Sequence, residues 1–304
     1  MKNKQLLGHG MALFTAIVWG TTFISTKVLL EDLQPVEILF YRFLIAYGVL
    51  WIIFPKWVRS SGWKEEAVFL GLGLSGVSLY FLMENIALQY TSTSNVGLLV
   101  SVAPVVTAIL AHCFTKDEKF KASIGIGFFV AIWGIALVIF NGHFMLKLNP
   151  LGDLLAVGAA VVWGFYSILL KKVGDKYSYI YTTRKIFFYG LLTTLPCVWL
   201  MQGNLAPAKL WTPGVLPNIL FLGLIASALC FVLWNTAVNM IGVVKTSSYI
   251  YLIPLVTIIT AVVILGERIT PLAAGGAVLI LLGTYISDHG IPYFGRKDKE
   301  ISKL

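Results

Sequence analysis

Ten apolar stretches separated by short polar breaks dominate the sequence. They cover residues 9–30, 36–54, 67–89, 96–114, 121–140, 151–173, 179–200, 215–239, 246–265 and 271–287, within a residue or two. A helix needs roughly 17–25 residues to cross about 30 Å of hydrocarbon, and the stretches have this length. The breaks hold the prolines, glycines and charges that are typical of turns. The pattern predicts an all-α polytopic membrane protein with ten transmembrane helices.

The first stretch could also be compared with a secretory signal, because it follows Lys2 and Lys4. It is longer than the roughly 7–15 residues of a signal core, and no small-x-small cleavage pattern closes it. We therefore expect it to be retained as the first transmembrane helix.

The composition agrees with the pattern. Apolar residues make up 58% of the chain and charged residues only 12%, whereas a soluble domain carries about 25% charged residues. These values exclude a water-soluble globule with a charged coat, and they equally exclude a disordered chain.

The net charge of +9 is distributed unevenly between the two sets of loops. Sixteen Lys and Arg residues fall at the termini and in the loops on the N-terminal side, and three fall in the alternate loops. The positive-inside rule then predicts a multi-pass protein of the cell (inner) membrane with both termini cytoplasmic. A nucleic-acid surface would need a soluble basic face or interleaved aromatic residues, so we expect no nucleic-acid partner.

An internal repeat relates the two halves of the chain. At an offset of 144, eight residues of the first stretch recur in the sixth: Gly8, Ala12, Ala16, Val18, Trp19, Gly20, Ile24 and Lys27. Four of these (Gly8, Ala12, Ala16 and Gly20) form a small-residue stripe on one helix face, which favours close helix packing. At an offset of 150, four more residues recur: Asn85, Ala87, Pro104 and Thr107.

Helices 1–5 therefore correspond to helices 6–10. Because five is an odd number, the second copy crosses the membrane in the opposite direction, so the repeats are inverted. We place the first repeat at residues 1–144 and the second, with a short cytoplasmic tail, at 145–304. Inverted repeats are typical of secondary transporters, which bind substrate near the midplane between the halves.

Several segments resemble the drug/metabolite transporter superfamily, and more closely its EamA-type ten-helix members. They are Trp19-Gly20-Thr21-Thr22-Phe23, Tyr41-Arg42-Phe43, Asn85 through Ser92, Ser94-Asn95-Val96, Pro104, Asn149 through Leu154, Trp163-Gly164, Pro254 and Leu265-Gly266-Glu267-Arg268. The resemblance covers residues 8–287. It implies transport of a small metabolite, such as an amino acid or a related polar or cationic compound, without a cofactor. Where such proteins often carry Gly-Glu-Arg after the fourth helix, this chain has Lys116-Asp117-Glu118-Lys119.

Glu84 is the strongest candidate for a charged functional residue, because it lies within a predicted transmembrane helix. Ionisable groups inside a bilayer are costly and mark functional sites by default, and Lys27 and Arg42 lie at a similar depth. In one interpretation Glu84 only neutralises Lys27 or Arg42. In the other it faces a cavity and couples proton movement or contacts a cationic solute. Its counterpart at an offset of 150 is Trp234, so the charge is not repeated.

Aromatic and amide side chains form a second group of substrate-binding candidates. Mid-span rings can stack on a solute or hold a cation by their faces, although each could serve packing alone. With Glu84, the candidates are Trp19, Tyr80, Asn85, Asn95, Trp163, Tyr166, Asn235, Tyr249 and Tyr251. We also expect Pro104 and Pro254 to kink the fourth and ninth helices.

Motifs for other chemistry are weak. Gly71-Leu72-Gly73-Leu74-Ser75-Gly76 matches GxGxxG, but it lies inside a spanning helix, where close helix packing explains it better. The cysteines and histidines form no metal-ligand pattern. A membrane-embedded lipid-modifying enzyme remains the alternative to a transporter, and a channel is disfavoured because no ring of charges is present. We expect a non-enzymatic exporter that works by alternating access, as a monomer or a homodimer in the bilayer, without a metal.

Overall fold

A computed structural model describes residues 2–56, 58, 62–91, 93–115, 121–140, 149–265 and 271–289. Within these ranges the regular structure is entirely helical, as predicted. Five helices are long and apolar enough to cross a membrane by length and composition, and four shorter apolar helices accompany them. Apolar side chains such as Trp133 and Trp199 remain exposed on the outer surface. Exposed apolar surface of this extent fits a protein surrounded by lipid.

The first half of the chain forms five helices. They are α1 (Lys2–Leu29), α2 (Pro35–Ile53), α3 (Trp63–Tyr90), α4 in two segments (Thr93–Val100 and Ala103–Phe114), and α5 (Ala122–Phe140). The side of the membrane on which α1 begins is called the N-side below.

The second half repeats this order. Its helices are α6 (Pro150–Val173), α7 (Tyr179–Leu200), α8 (Val215–Ile241), α9 in three segments (Val243–Ser248, Tyr249–Tyr251 and Leu252–Leu265), and α10 (Pro271–His289). The apolar pattern placed the start of α1 near residue 9 and that of α3 near residue 67. Both helices begin earlier, at Lys2 and Trp63, because a helix can continue past the hydrocarbon as exposed polar turns.

The packing of the helices follows the inverted repeat. Helix α3 packs on α6 as α8 packs on α1, and α4 packs on α6 as α9 packs on α1. Likewise α3 contacts α7 as α8 contacts α2, whereas α2 with α7 and α5 with α10 form pairs of equivalent helices. If each helix is replaced by its counterpart in the other repeat, every major helix–helix contact becomes another contact that is also present, or remains the same contact. The ten-helix, two-repeat architecture is confirmed.

The predicted small-residue stripe lies at these helix contacts. A Cβ added to Gly8 would stand 2.8 Å from a methyl carbon of Ile241, and one added to its repeat partner Gly152 would stand 3.0 Å from Tyr90. Gly20 meets Val256 of α9 in the same way as Gly164 meets Val106 of α4. The stripes therefore let α1 and α6 approach their neighbours closely.

The GxGxxG match is also a packing feature. A Cβ on Gly73 would lie 2.5 Å from the backbone nitrogen of Gly190 in α7, and one on Gly76 would overlap the ring of Tyr166. The glycines bring α3 against α6 and α7 and leave no space for a nucleotide.

Irregular turns occur at matched places in the two repeats. A π-helical segment runs over Leu74–Leu79 in α3 and over Phe221–Leu229 in α8. Helix α4 is interrupted at Ser101 and Val102, just before Pro104, and α9 narrows to a 3₁₀ turn at Tyr249–Tyr251, just before Pro254. The interruptions stand where kinks are expected from the prolines. The π segments could not be predicted from the apolar pattern. That pattern shows the spacing of apolar residues along the chain, but it does not show where a helical turn is widened.

Candidate functional site

A small cavity lies between the two repeats, where five helices meet. Helix α1 contributes three lining residues, α2 one, α3 three, α6 one and α9 one: Trp19, Thr22, Phe23, Arg42, Tyr80, Phe81, Glu84, Trp163 and Ile253. Its volume is about 30 Å³, far below the roughly 300–1,000 Å³ of ligand pockets. This conformation is contracted around the cavity.

Glu84 lies in the cavity wall and is 8% exposed. The hydroxyl of Tyr80, one helical turn earlier in α3, donates a hydrogen bond of 3.0 Å to Glu84 Oε1. Among the described residues, Oε2 has no hydrogen-bond partner. The carboxylate is therefore half-satisfied and keeps acceptor capacity for a ligand or a proton.

Arg42 lies in the same wall and is only 1% exposed. Its Nε donates a 3.0 Å hydrogen bond to Ser227 Oγ of α8. Its guanidinium carbon stands 4.3 Å from the ring centroid of Phe81 and 5.2 Å from that of Phe43, which are cation–π distances. These contacts hold the guanidinium plane in place and compensate part of its desolvation.

Neither of the two nearby cations forms a direct ion pair with Glu84. Lys27 is exposed, and its Nζ donates to the backbone oxygen of Leu88 at 3.1 Å. No nitrogen–oxygen contact of 4.0 Å or less joins Glu84 to Arg42 in the described part of the structure. The structure thus places Glu84 and Arg42 in one cavity without a direct ion pair.

Aromatic rings form the other wall. Trp163 lies 5.4 Å from Trp19 and 5.0 Å from Tyr80, measured between ring centroids. Trp19 is anchored by a 2.9 Å hydrogen bond from its Nε1 to the backbone oxygen of Ala226. The Nε1 of Trp163 is buried and has no hydrogen-bond partner among the described residues. Trp163 therefore lines the cavity and keeps a donor that no described residue uses.

The two repeat-related amides serve helix packing instead. Asn235 accepts a 2.6 Å hydrogen bond from the hydroxyl of Tyr166 and donates one of 2.9 Å to Thr183. Asn85 donates to the backbone oxygen of Pro35 at 3.2 Å. Each amide ties α3 or α8 to the neighbouring α2 or α7, and neither lines the cavity, nor does the buried Tyr166.

Two further candidates, Tyr249 and Tyr251, do not line the cavity. The hydroxyl of Tyr249 lies 2.9 Å from Nδ1 of His9, and Tyr251 is fully buried outside the lining. The side chain of Asn95 lies outside the described residues. Sequence reasoning also missed four lining residues, Thr22, Phe23, Phe81 and Ile253. An uncharged side chain in an apolar helix gives no signal of the direction in which it faces.

Ion pairs connect the helices at the N-side end. Lys185 Nζ of α7 lies 2.7 Å from Glu66 Oε1 of α3, and Tyr189 donates to Glu66 Oε2 at 2.5 Å. Lys176, in the α6–α7 loop, pairs with Glu65 at 2.8 Å. The pKa of the Lys176 ammonium is raised by its hydrogen bond to Glu65, so Lys176 keeps its charge until the pH rises above the ordinary lysine value of 10.5. We call these four charged residues the N-side latch.

Another ion pair lies at the other end of the helices. Glu37 at the start of α2 is fully buried, and its carboxylate lies 2.8 Å from Nζ of Lys209 in the loop between α7 and α8. The backbone nitrogen of Asn204 donates to Glu37 at 2.6 Å. Glu37 and Lys209 form what we call the opposite-side latch.

Inverted five-helix repeats around a buried, charged cavity define an integral membrane protein with the architecture of secondary transporters. The chain belongs to the EamA-like transporter family, whose model matches residues 6–140 and again residues 150–287. The resemblance found in the sequence is thereby confirmed over nearly the whole chain.

Relatives of known name are transporters. The chain is 28% identical to an uncharacterized transporter of Archaeoglobus fulgidus over 92% of its length and 96% of the relative's. It is 29% identical to the uncharacterized transporter YyaM of Bacillus subtilis, with 98% of each protein covered. A probable terminal-alkyne amino-acid exporter of Streptantibioticus cattleyicolor is 27% identical over 90% of each chain.

A crystal structure of a protein with 18% sequence identity shares the fold. It superimposes with a TM-score of 0.76 and covers 94% of this chain and 96% of that one. At this identity the likeness concerns the fold alone.

Proposed function

We propose that the protein is a secondary transporter that exports a small polar metabolite across the cytoplasmic membrane by alternating access. The observation that carries the proposal is the cavity between the repeats, which holds Glu84 and Arg42 without a direct ion pair. Charged side chains inside a bilayer are costly, so they mark positions where a solute or an ion is bound.

The two latches support alternating access. The N-side latch and the opposite-side latch lie at opposite ends of the helices that enclose the cavity. A carrier opens to one side at a time, so the ion pairs at that end must break. The partly exposed Lys176–Glu65 pair can break at modest cost, whereas separating Lys209 from the fully buried Glu37 costs more. The contracted cavity fits an intermediate between the two open states.

Catalysis is the weaker proposal. A lipid-modifying enzyme needs an acid–base pair or a metal-ligand cluster near one membrane surface. Among the described residues, no group of three or more His, Cys, Asp and Glu side chains lies close together. Glu84 shares its cavity with an arginine and a tyrosine, but with no second carboxylate.

Export and an amino-acid-like substrate are favoured by the relatives. One of them carries the name of a probable terminal-alkyne amino-acid exporter. The excess of Lys and Arg in the N-side loops favours cytoplasmic termini, which would make the N-side the side from which the substrate is loaded.

The first test compares metabolites in cells with and without the protein. The compound that changes most is then offered to proteoliposomes with and without a pH gradient. Movement of the compound that depends on the protein supports transport. A compound that is chemically altered instead of moved would favour the enzyme.

The coupling role of Glu84 has its own test. A Gln at position 84 cannot exchange a proton, so we expect Glu84→Gln to flatten the pH dependence of uptake while the protein still inserts and folds. Glu31→Gln removes a carboxylate that is exposed in the α1–α2 turn and should leave the dependence intact. An unchanged pH profile in Glu84→Gln would remove this residue from the coupling mechanism.

A further inference from the structure

One helix contact occurs twice in the molecule with the same residues. Helix α9 packs on α1 with Thr257 beside Gly20, and helix α4 packs on α6 with Thr107 beside Gly164. Thr107 recurs as Thr257 at an offset of 150, and Gly20 recurs as Gly164 at an offset of 144. The two contacts therefore have the same threonine and the same glycine at their centres.

Only one of the two contacts contains its hydrogen bond. The hydroxyl of Thr257 donates to the backbone oxygen of Gly20 at 2.7 Å and also lies 3.0 Å from the backbone oxygen of Ile253, one turn earlier in α9. The Oγ1 of Thr107 is buried and has no hydrogen-bond partner in the described part of the chain. Because the residues are identical, the difference lies in the arrangement of the helices and not in their chemistry.

The closeness of the helices differs in the same sense. A Cβ added to Gly20 would stand 2.7 Å from Cγ1 of Val256, whereas one added to Gly164 would stand 3.0 Å from Cγ1 of the matched Val106. Helix α9 thus approaches α1 more closely than α4 approaches α6.

Two tryptophans of the cavity wall show the same asymmetry. Trp19 precedes Gly20, and its repeat counterpart Trp163 precedes Gly164. Trp19 donates to the backbone oxygen of Ala226 in α8 at 2.9 Å, but the Nε1 of Trp163 has no partner among the described residues. Of these two kinds of bond, α1 takes part in both and α6 takes part in neither.

The unused hydroxyl of Thr107 has a cost that a second conformation can remove. A buried donor without a partner has lost its hydrogen bonds to water and gained none in the protein. Inverted repeats allow a second arrangement with the same chemistry, in which the repeats exchange their conformations and the cavity faces the other side of the membrane. In that arrangement α4 approaches α6 as closely as α9 approaches α1 here.

We propose that Thr107 and Thr257 are exchanging hydrogen-bond donors, each of which stabilises one of the two conformations of the carrier. In the present conformation Thr257 donates to Gly20. In the exchanged conformation Thr107 donates to the backbone oxygen of Gly164, and Thr257 leaves Gly20. One bond replaces the other, so the two conformations stay close in free energy. This inference rests on the proposed function and assigns residues that determine its conformational step.

Valine substitutions test the exchange, because they remove each hydroxyl and keep a branched side chain of similar size. The reporter is Thr22→Cys in the cavity wall of a chain without its native cysteines. Its reaction with a membrane-impermeant maleimide is timed in right-side-out and in inside-out vesicles. We expect Thr257→Val and Thr107→Val to shift the ratio of the two labelling rates in opposite directions. Each shift should be about two- to tenfold, the range of one net hydrogen bond.

Melting temperatures in detergent separate exchange from packing. Thr107→Val removes a hydroxyl that has no partner here, so its melting temperature should equal or exceed that of the parent, whereas Thr257→Val should melt lower. A purely structural role predicts these melting temperatures with an unchanged labelling ratio. An unchanged ratio in Thr107→Val, or shifts in the same direction in both variants, would overturn the proposal. If Thr257→Val does not fold, Thr107→Val decides alone, since it breaks no bond of the present conformation.

Conservative and matched variants complete the experiment. Thr107→Ser and Thr257→Ser retain the hydroxyl and should keep the labelling ratio of the parent. Thr236 is buried and donates to the backbone oxygen of Val232 in its own helix at 2.6 Å. Thr236→Val should therefore leave the ratio unchanged, and a shift as large as that of Thr107→Val would count against the exchange.

Transport and exchange fail separately, because the labelling experiment needs no substrate. Opposite shifts in a protein that moves no metabolite in proteoliposomes would keep the exchange and remove the transport proposal. Protein-dependent transport with an unshifted ratio would keep transport and remove the roles of Thr107 and Thr257. A reporter cysteine that reacts from neither side would contradict both.

Discussion

Trp163 is the aromatic residue for which binding and packing can best be separated. It is 3% exposed, lines the cavity, and carries a buried Nε1 with no hydrogen-bond partner in the described part of the chain. We expect Trp163→Ala to weaken solute affinity more than it lowers the yield of folded protein. Titration of the purified variant and its yield after solubilisation measure the two effects. If only the yield falls, the ring serves packing.

A matched pair of milder variants isolates the indole N–H. Trp234 also has a buried Nε1 without a partner, but it does not line the cavity. Trp163→Phe should raise the Kd of the solute by about two- to tenfold, the range of one net hydrogen bond. Trp234→Phe should change stability by a similar amount and leave the Kd unchanged. Similar Kd values for the two variants would contradict a binding role for the Trp163 indole.

Residue-level prediction singled out candidate residues but could not sort those that line the cavity from those that pack between helices. Glu84 and Trp163 stood out because charge and mid-span aromatic rings are unusual in a bilayer, and both line the cavity. Asn85 and Asn235 stood out equally, yet their hydrogen bonds tie neighbouring helices together. Polarity in a membrane helix predicts that a partner exists, but only the packed structure shows whether that partner is a helix or a solute.

Close helix contacts at glycine give a prediction at the level of the element. A Cβ on Gly73 would stand 2.5 Å from the backbone of Gly190, which cannot rotate away. We expect Gly73→Ala to cost about 1–3 kcal/mol of stability through overpacking of α3 against α7. Thermal unfolding in detergent measures the loss.

The control is another glycine within a helix. Gly48 of α2 has no atom within 4 Å of its added Cβ, so Gly48→Ala should leave the melting temperature close to that of the parent or slightly raise it. Equal melting temperatures for both variants would show that α3 and α7 can separate without cost.

The apolar pattern predicted the helix boundaries that lie within the lipid, but not those that extend into water. The starts of α1 and α3 lie several residues before the apolar stretches, at Lys2 and Trp63, because polar turns can extend into water. The π segment at Leu74–Leu79 was not predicted, since widening a turn changes backbone hydrogen bonding and leaves the composition of the helix as it was.

The two latches make a prediction for the whole molecule. Thr22 lines the cavity, so Thr22→Cys, in a chain whose native cysteines are replaced, reports cavity access to a membrane-impermeant maleimide. Lys185→Gln breaks the bond between α7 and α3, and we expect it to speed labelling from the N-side. Lys209→Gln removes the ion pair to Glu37, which keeps its hydrogen bond from the backbone of Asn204, and should speed labelling from the opposite side.

Sidedness is the control in this experiment. Each variant is labelled in right-side-out and in inside-out vesicles, and each should respond in only one of them. Faster labelling from both sides would indicate a loosened fold, and no change in either would mean that the latches do not hold the cavity closed.

The sequence by itself determined the number of spanning helices, the inverted repeat and the presence of charges within the first repeat. It could do so because bilayer thickness and backbone hydrogen bonding act along the chain and select length and apolar composition locally. The tertiary structure alone decided which side chains share the cavity. Trp19, Arg42, Glu84, Trp163 and Ile253 come from five helices. The rotation of each helix about its axis is set by close contacts between residues far apart in the sequence, such as Gly20 with Val256.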